Sequence, residues 1–265
     1  MDFKRTLTAL IGLPTVVLCV ALGNQAIMAT VIFFIGIICM YEYFNTVSKV
    51  SNPIRWVGYL SNSLTLLTIK YDELNKIIVY LIPIIILILF LHIILSDMKY
   101  TFKDVSYTFL GIMYIPFFLN FLSLIYKMEN GRFLLGYVLC TCWATDIFAY
   151  LIGRKYGKHK FSKVSPKKSI EGVIAGIIGA IVISLIFTYF LNIFFKTEYS
   201  YFTIIPISLI FSIISQIGDF TASSIKRFAE TKDYGNLLPG HGGMLDRIDS
   251  LLFLAPFAHL LFLFI

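Results

Sequence analysis

Apolar residues in this chain come in long unbroken runs separated by short polar links. This is neither the alternation of a half-buried strand nor the single stripe of a surface helix. A helix needs about 20 mainly apolar residues to cross a bilayer. Runs of that order lie at 7–22, 26–45, 54–69, 76–95, 105–126, 133–152, 171–195, 200–225 and 248–265. The third is the weakest, because Ser61, Asn62 and Ser63 sit inside it. Only Gly23, Asn24 and Gln25 part the first run from the second, which predicts a tight helical hairpin. The expected fold class is all-α: a polytopic membrane protein of about nine transmembrane helices with a cytoplasmic N-terminus.

Charge gives the expected orientation. With the N-terminus inside, 17 of the 22 Lys and Arg residues fall on the cytoplasmic side; Lys70, Lys76, Lys127, Arg132 and Lys196 fall outside. The net charge of +7 then reads as a topology signal with anionic lipid head groups as neighbours, and nucleic acid is not needed to explain it. Lys4, Arg5 and the following apolar run imitate a secretory signal, with Ala21 and Gly23 as small residues. A second span follows at once, so an uncleaved first helix is expected. No long targeting segment precedes it, which points to a bacterial cytoplasmic membrane. Cys19, Cys39, Cys140 and Cys142 all lie within spans, and the spacing of the last two suits neither zinc nor a disulfide.

Residues 1–130 read as an N-terminal transmembrane scaffold, and 131–265 as the region that carries chemistry. Chemistry concentrates in Gly218–Ser250, where Asp219, Glu230, Asp233, Asp246 and Asp249 accompany Lys226, Arg227, Lys232, Arg247 and His241. A charge at mid-bilayer depth costs roughly 2.5–3.5 kcal/mol on insertion scales, so ionisable groups beside apolar helices are functional candidates. Asp219, Ser223 and Lys226 fall at i, i+4 and i+7, on one helix face, with Arg227 beside them. Asp246 and Asp249 share a face of the next helix. Between the two helices Gly235, Gly240, Gly242 and Gly243 allow close approach of backbone N–H groups to an anion. Carboxylates able to hold Mg²⁺, cations able to hold phosphates and a Gly-rich turn together point to nucleotide chemistry. A second cluster ends the sixth span: Asp146 and Tyr150 on one face, then a basic loop from Arg154 to Lys168. Lys155, Lys158, Lys160 and Lys163 read as a solvated face. Lys167 and Lys168 abut a helix start, where N–H groups and the dipole favour anions. Ser165-Pro166 should open a turn, and Ser169 with Glu171 the seventh helix.

These residues resemble the phosphatidate cytidylyltransferases (CDP-diacylglycerol synthases). The likeness rests on Ser223, Lys226-Arg227, Lys232-Asp233, Gly235, His241-Gly242-Gly243 and Asp246-Arg247-Ile248-Asp249, in that order. The run Asp146 to Arg154 and the run Ser165-Pro166-Lys167-Lys168-Ser169 to Gly172 are similar to the same family, so the resemblance covers about 133–250. It implies that CTP and phosphatidate give CDP-diacylglycerol and pyrophosphate at the cytoplasmic face. It implies Asp219, Asp246, Lys226 and Arg227 as catalytic residues, and one or two cations, Mg²⁺ among them, on Asp219, Asp246 and Asp249. Substrate contacts fall to Lys167, Lys168, Ser223, His241, Gly242, Gly243, Arg247, Asp146 and Tyr150, and a homodimer is the family's habit. A CTP-dependent polyprenol kinase, which would release CDP, and an ion-coupled transporter are the competing readings; the full Asp-Arg-x-Asp run and the lack of inverted repeats disfavour them. The orientation is directly testable: Lys160→Cys should resist an impermeant thiol reagent added to intact cells, and efficient labelling would overturn the assigned topology.

Overall fold

The computed structural model describes residues 3–70, 78–162, 164–237 and 242–264. Among them the chain is helical: α1 Phe3–Leu22, α2 Gln25–Val47, α3 Arg55–Lys70, α4 Ile78–Leu95, α5 Phe102–Lys127, α6 Gly131–Tyr156, α7 Ile170–Phe194, α8 Tyr201–Phe228 and α9 Leu245–Phe262. Each expected span coincides with one of these helices over most of its length; the first two residues of the fourth lie outside the described residues. Among the described residues five helices, α2, α5, α6, α7 and α8, are long and apolar enough to cross a bilayer, and Tyr80–Leu95 of α4 is a shorter apolar helix. The chain is thus an all-helical, multi-pass membrane protein.

The helices outside that group are informative. α3 has only 16 residues, and its Ser61 and Asn62 are buried. Asn62 donates to the Phe33 carbonyl at 3.2 Å, and Gly36 leaves the room on α2 for its side chain. α9 starts with Asp246, Arg247 and Asp249, so its first turns are polar. The expected α1–α2 hairpin is present: Asn24 caps α2 by accepting from Ile27 N at 2.9 Å, and Gly23 N donates to Cys19 O at 3.0 Å.

The chain divides into two compact units, 1–127 with 228–248, and 128–227 with 249–265. The core of the first is built on α2, whose Cys39, Met40, Tyr43 and Phe44 are fully buried. Gly58 of α3 lies against Met40 and Phe44, and Gly111 of α5 against the Tyr43 ring. Asp104 completes a capping box with Thr101 at the start of α5 and also accepts from Asn52 N at 2.5 Å. Mid-way, α5 widens into a π turn over Met113–Phe117, where Pro116 has no N–H to give to the regular ladder.

In the second unit α6 and α7 pack along most of their length. Gly172, Gly176 and Gly179 on α7 make that approach possible. A Cβ on Gly172 would stand 2.8 Å from the Ala149 carbonyl, one on Gly176 3.0 Å from the Thr145 carbonyl, and one on Gly179 inside the Phe148 ring. Small residues of this kind let helix backbones meet where apolar solvent gives no drive to associate. A buried row of hydroxyls adds lateral bonds: Thr141 to Ser184 at 2.8 Å, Thr145 to Ser212 at 3.0 Å and Tyr137 to Ser208 at 2.7 Å. Gly176→Leu should therefore lower the melting midpoint in detergent by several degrees, whereas Ile174→Leu, at an exposed position of the same helix, should leave it within a degree or so.

Candidate active site

The polar residues of the second unit gather around the α8–α9 crossing, and Gly218 is the reason they can. A Cβ there would stand 2.9 Å from the Asp249 carbonyl and 2.8 Å from Phe253 Cβ. With hydrogen in that place, the turn of α9 bearing Asp249 lies directly against the turn of α8 bearing Asp219. Asp249 is buried; the carboxylates of Asp219 and Asp146 and the ammonium of Lys226 all act on it electrostatically. Lys226 and Ser223 are buried too, and the Ser223 hydroxyl reaches the Asp219 carboxylate at 3.5 Å. The i, i+4, i+7 face of α8 is thus real, and three carboxylates and an ammonium share one electrostatic neighbourhood.

A second cation arrives from the basic loop. Lys168 forms an ion pair with Asp219 and stands 4.1 Å from the Phe220 ring centroid. Lys168 is carried to Asp219 by the fold of its loop. Lys168 N donates to Ser165 O at 3.0 Å, closing the expected Ser-Pro turn. Phe161 N donates to Lys168 O and Ile170 N to His159 O, at 3.0 and 2.9 Å. Phe161 then stacks on Phe220 with centroids 4.9 Å apart. The loop is a small hairpin folded onto α8 rather than a solvated tether. Ser169 caps α7 as expected, accepting from Gly172 N at 3.1 Å. Glu171 instead reaches the His159 ring at 2.7 Å. Lys155, Lys158, Lys160 and Lys167 are exposed, and Lys163 lies outside the described residues. Asp146 and Tyr150 are exposed on α6, and Arg154 donates to the Tyr150 hydroxyl at 3.0 Å.

In the first unit the described flanks of the glycine-bearing segment are tied by carboxylates; Gly240, within it, lies outside the described residues. Asp246 Oδ2 accepts from Tyr234 N at 2.9 Å and Gly243 N at 3.1 Å. Gly242 has φ +85°, a conformation that suits glycine. Arg247 is exposed, and His241 lies outside the described residues. Among the described residues no three His, Cys, Asp or Glu side chains stand at the spacing of a complete metal cage, and the four cysteines form no disulfide.

A buried carboxylate on α9 and a half-buried one on α8 thus share one neighbourhood, with lysines from two elements supplying the counter-charge. The cytidylyltransferase family model matches residues 3–265. The chain belongs to the cytidylyltransferase family. Among its relatives, the phosphatidate cytidylyltransferase of Bacillus subtilis is 30% identical over 98% of each chain. Those of Thermotoga maritima and Haemophilus influenzae are 39% and 45% identical, over 57% and 51% of this chain; these two matches span about half the length of either relative.

One polar residue that the sequence did not single out lies within residues 1–130. Glu42 on α2 is buried, and its carboxylate accepts from Met244 N at 2.9 Å and Leu245 N at 2.8 Å, at the start of α9. The signal was present: Glu42 is the one acidic residue within the run 26–45, and an ionisable group in a span warrants the same question asked of Asp219.

The compensation around Asp249 is measurable. Lys226→Met leaves the buried Asp249 facing two further carboxylates, and removing one partner of a buried pair costs about 3 kcal/mol or more. The detergent melting midpoint should fall, and Asp249→Asn in the same background should restore part of it. An unchanged midpoint in Lys226→Met would show that the ammonium balances nothing.

Proposed function

We propose that the chain transfers a cytidylyl group from CTP to phosphatidate, releasing pyrophosphate, at the cytoplasmic surface of the membrane. The observation that carries this reading is the charge arrangement around the α8–α9 crossing: Asp219 of α8, Asp249 of α9 and Asp146 of α6 in one electrostatic neighbourhood, with Lys226 of α8 and Lys168 of the basic loop supplying counter-charge. The family's reaction, formation of CDP-diacylglycerol from CTP and phosphatidate, needs such a site. A phosphate oxygen of the lipid forms a bond to the α-phosphorus of CTP as the bond to the bridging oxygen of pyrophosphate breaks. The lipid phosphate is already ionised near neutral pH, so the protein's task is positioning and charge neutralisation rather than strong base catalysis.

Mg²⁺ is bound in many nucleotide enzymes by one or two carboxylates, with substrate phosphates and water filling the remaining positions. A facing pair such as Asp219 and Asp249 fits that requirement without a complete protein cage. Bound there, the cation would neutralise phosphate charge. Lys226 and Arg227 at the end of α8, with Lys167 and Lys168 at the start of α7, are the groups assigned to the triphosphate and the lipid phosphate. Asp246 and Gly243 are engaged with each other, so Gly243 contributes by ordering the segment. The assignment of Asp246 to the metal, of Gly242 and Arg247 to substrate, and of Asp146 and Tyr150 to substrate rests on the family resemblance. Neither phosphorylation of a lipid alcohol nor ion-coupled transport would consume CTP with release of pyrophosphate.

Purified protein in mixed micelles should release pyrophosphate from CTP only when both phosphatidate and Mg²⁺ are present. Asp219→Asn should abolish turnover while the protein remains folded, and Lys168→Ala should raise KM for CTP. Release of CDP instead of pyrophosphate, or turnover without phosphatidate, would refute the assignment.

A further inference from the structure

We infer that Glu42, on α2, is a positioning residue for the reaction: it acts by fixing the start of α9 and the described flanks of the glycine-bearing segment before it. The inference rests on the proposed function above, which gives that segment a part in the chemistry. Glu42 and the residues it holds are about two hundred positions apart in the chain and meet within one unit.

The geometry is that of a capping residue supplied by another helix. The N–H groups at the beginning of a helix have no partner within it. Here Met244 and Leu245 give theirs to the two oxygens of a single carboxylate, at 2.9 and 2.8 Å. A carboxylate is also the natural charge for the positive end of a helix. The fit around it is close. A Cβ on Gly243 would stand 2.6 Å from Glu42 Oε2, and one on Gly235 would stand 2.8 Å from Glu42 Oε1. The carboxylate is therefore enclosed by the two flanks of the segment, and glycine is the residue that leaves room for it on both. Thr46, one turn further along α2, reaches the Tyr234 carbonyl at 3.4 Å. Asp246, from the first turn of α9, ties the same two flanks through Tyr234 N and Gly243 N. Two carboxylates thus collect four backbone N–H groups, and one of the two comes from the N-terminal half.

Glu42, Tyr234 and Gly235 border a cavity of about 460 Å³ that Tyr41, Tyr59 and Asn236 also line, so the segment has open space there rather than packed side chains. A hydrogen bond to an ionised acceptor is roughly twice as strong as a neutral one, and it has direction, which an apolar contact lacks. The carboxylate therefore sets where α9 begins, and with it the placement of Asp246.

The test has one arm that needs no turnover and one that does. In the first, hydrogen exchange at the Met244 and Leu245 amides is compared between the wild-type protein and Glu42→Gln in the same micelles. Gln keeps one acceptor oxygen and turns an NH₂ toward the other N–H, so these amides should exchange about tenfold faster or more, with the α6–α8 interface unchanged. Equal exchange would overturn the clamp whatever the enzyme's activity.

In the second arm, Gly235→Ala is measured in two backgrounds. In the wild-type chain the new methyl must displace the Glu42 carboxylate, and kcat should fall about tenfold. In Glu42→Ala the space is already open, and the same change should cost less than about twofold. A merely structural role for Gly235 predicts equal losses in both backgrounds, and that result would overturn the positioning role. Should the Glu42 variants fail to fold, Gly235→Ala in the wild-type chain is read by exchange instead: displacing the carboxylate should speed exchange at the Met244 and Leu245 amides, and unchanged exchange would overturn the clamp. Absence of CDP-diacylglycerol synthesis by the wild-type protein would defeat the proposed function and leave the exchange arm to decide the clamp.

Discussion

Carboxylates held away from water have to be met by donors or by opposite charge, and both units are built around meeting that demand. In the second unit the buried Asp249 faces Lys226, while Asp219 takes the ammonium of Lys168. In the first, Glu42 and Asp246 take backbone N–H groups instead. The two solutions differ in what they leave mobile. A lysine on a flexible stem can leave its partner when another cation or an anion competes for it. A backbone N–H at the start of a helix cannot move without moving the helix. Charge compensation by side chains suits a place where ligands come and go, and compensation by backbone suits a place that must hold still.

Glycine is what lets either solution be reached. Gly218 brings the turn with Asp249 against the turn with Asp219, and Gly235 and Gly243 admit the Glu42 carboxylate. On α7 the spaced glycines serve a different purpose, bringing two helix backbones together where the bilayer offers no hydrophobic incentive. The same residue type thus acts as a spacer for chemistry in one element and for assembly in another.

Much of this was legible from the pattern of apolar residues. Spans are set by composition over about twenty residues, so helix positions came out close to those observed, from the α1–α2 hairpin to the start of α7 at its Ser169 cap. The face of α8 carrying Asp219, Ser223 and Lys226 followed from helical periodicity alone. Partnerships across sequence distance were not legible. Lys168 meets Asp219 only because the basic loop folds into a hairpin whose Phe161 stacks on Phe220, and no local spacing encodes that. Glu42 was passed over because a single acid in an apolar run carries no motif; its meaning lies in two amides on another helix. Asn62 marked the weakest span for a sound reason, yet its amide is satisfied by the Phe33 carbonyl, a contact that hydropathy cannot register.

The hydroxyl row in the second unit has a consequence for how the chain is made. Thr141 donates to the Tyr137 carbonyl and Ser208 to the Ile204 carbonyl, each one turn back on its own helix, at 2.8 and 2.7 Å. A hydroxyl satisfied in this way is no burden to a helix entering lipid alone, because its hydrogen never needs a neighbour. The sideways contacts to Ser184 and Tyr137 use the lone pairs and donors left over. Insertion and assembly are thereby separable in time: each segment can be delivered singly by the translocation machinery, diffuse in the plane of the membrane, and lock onto its neighbours only when they arrive.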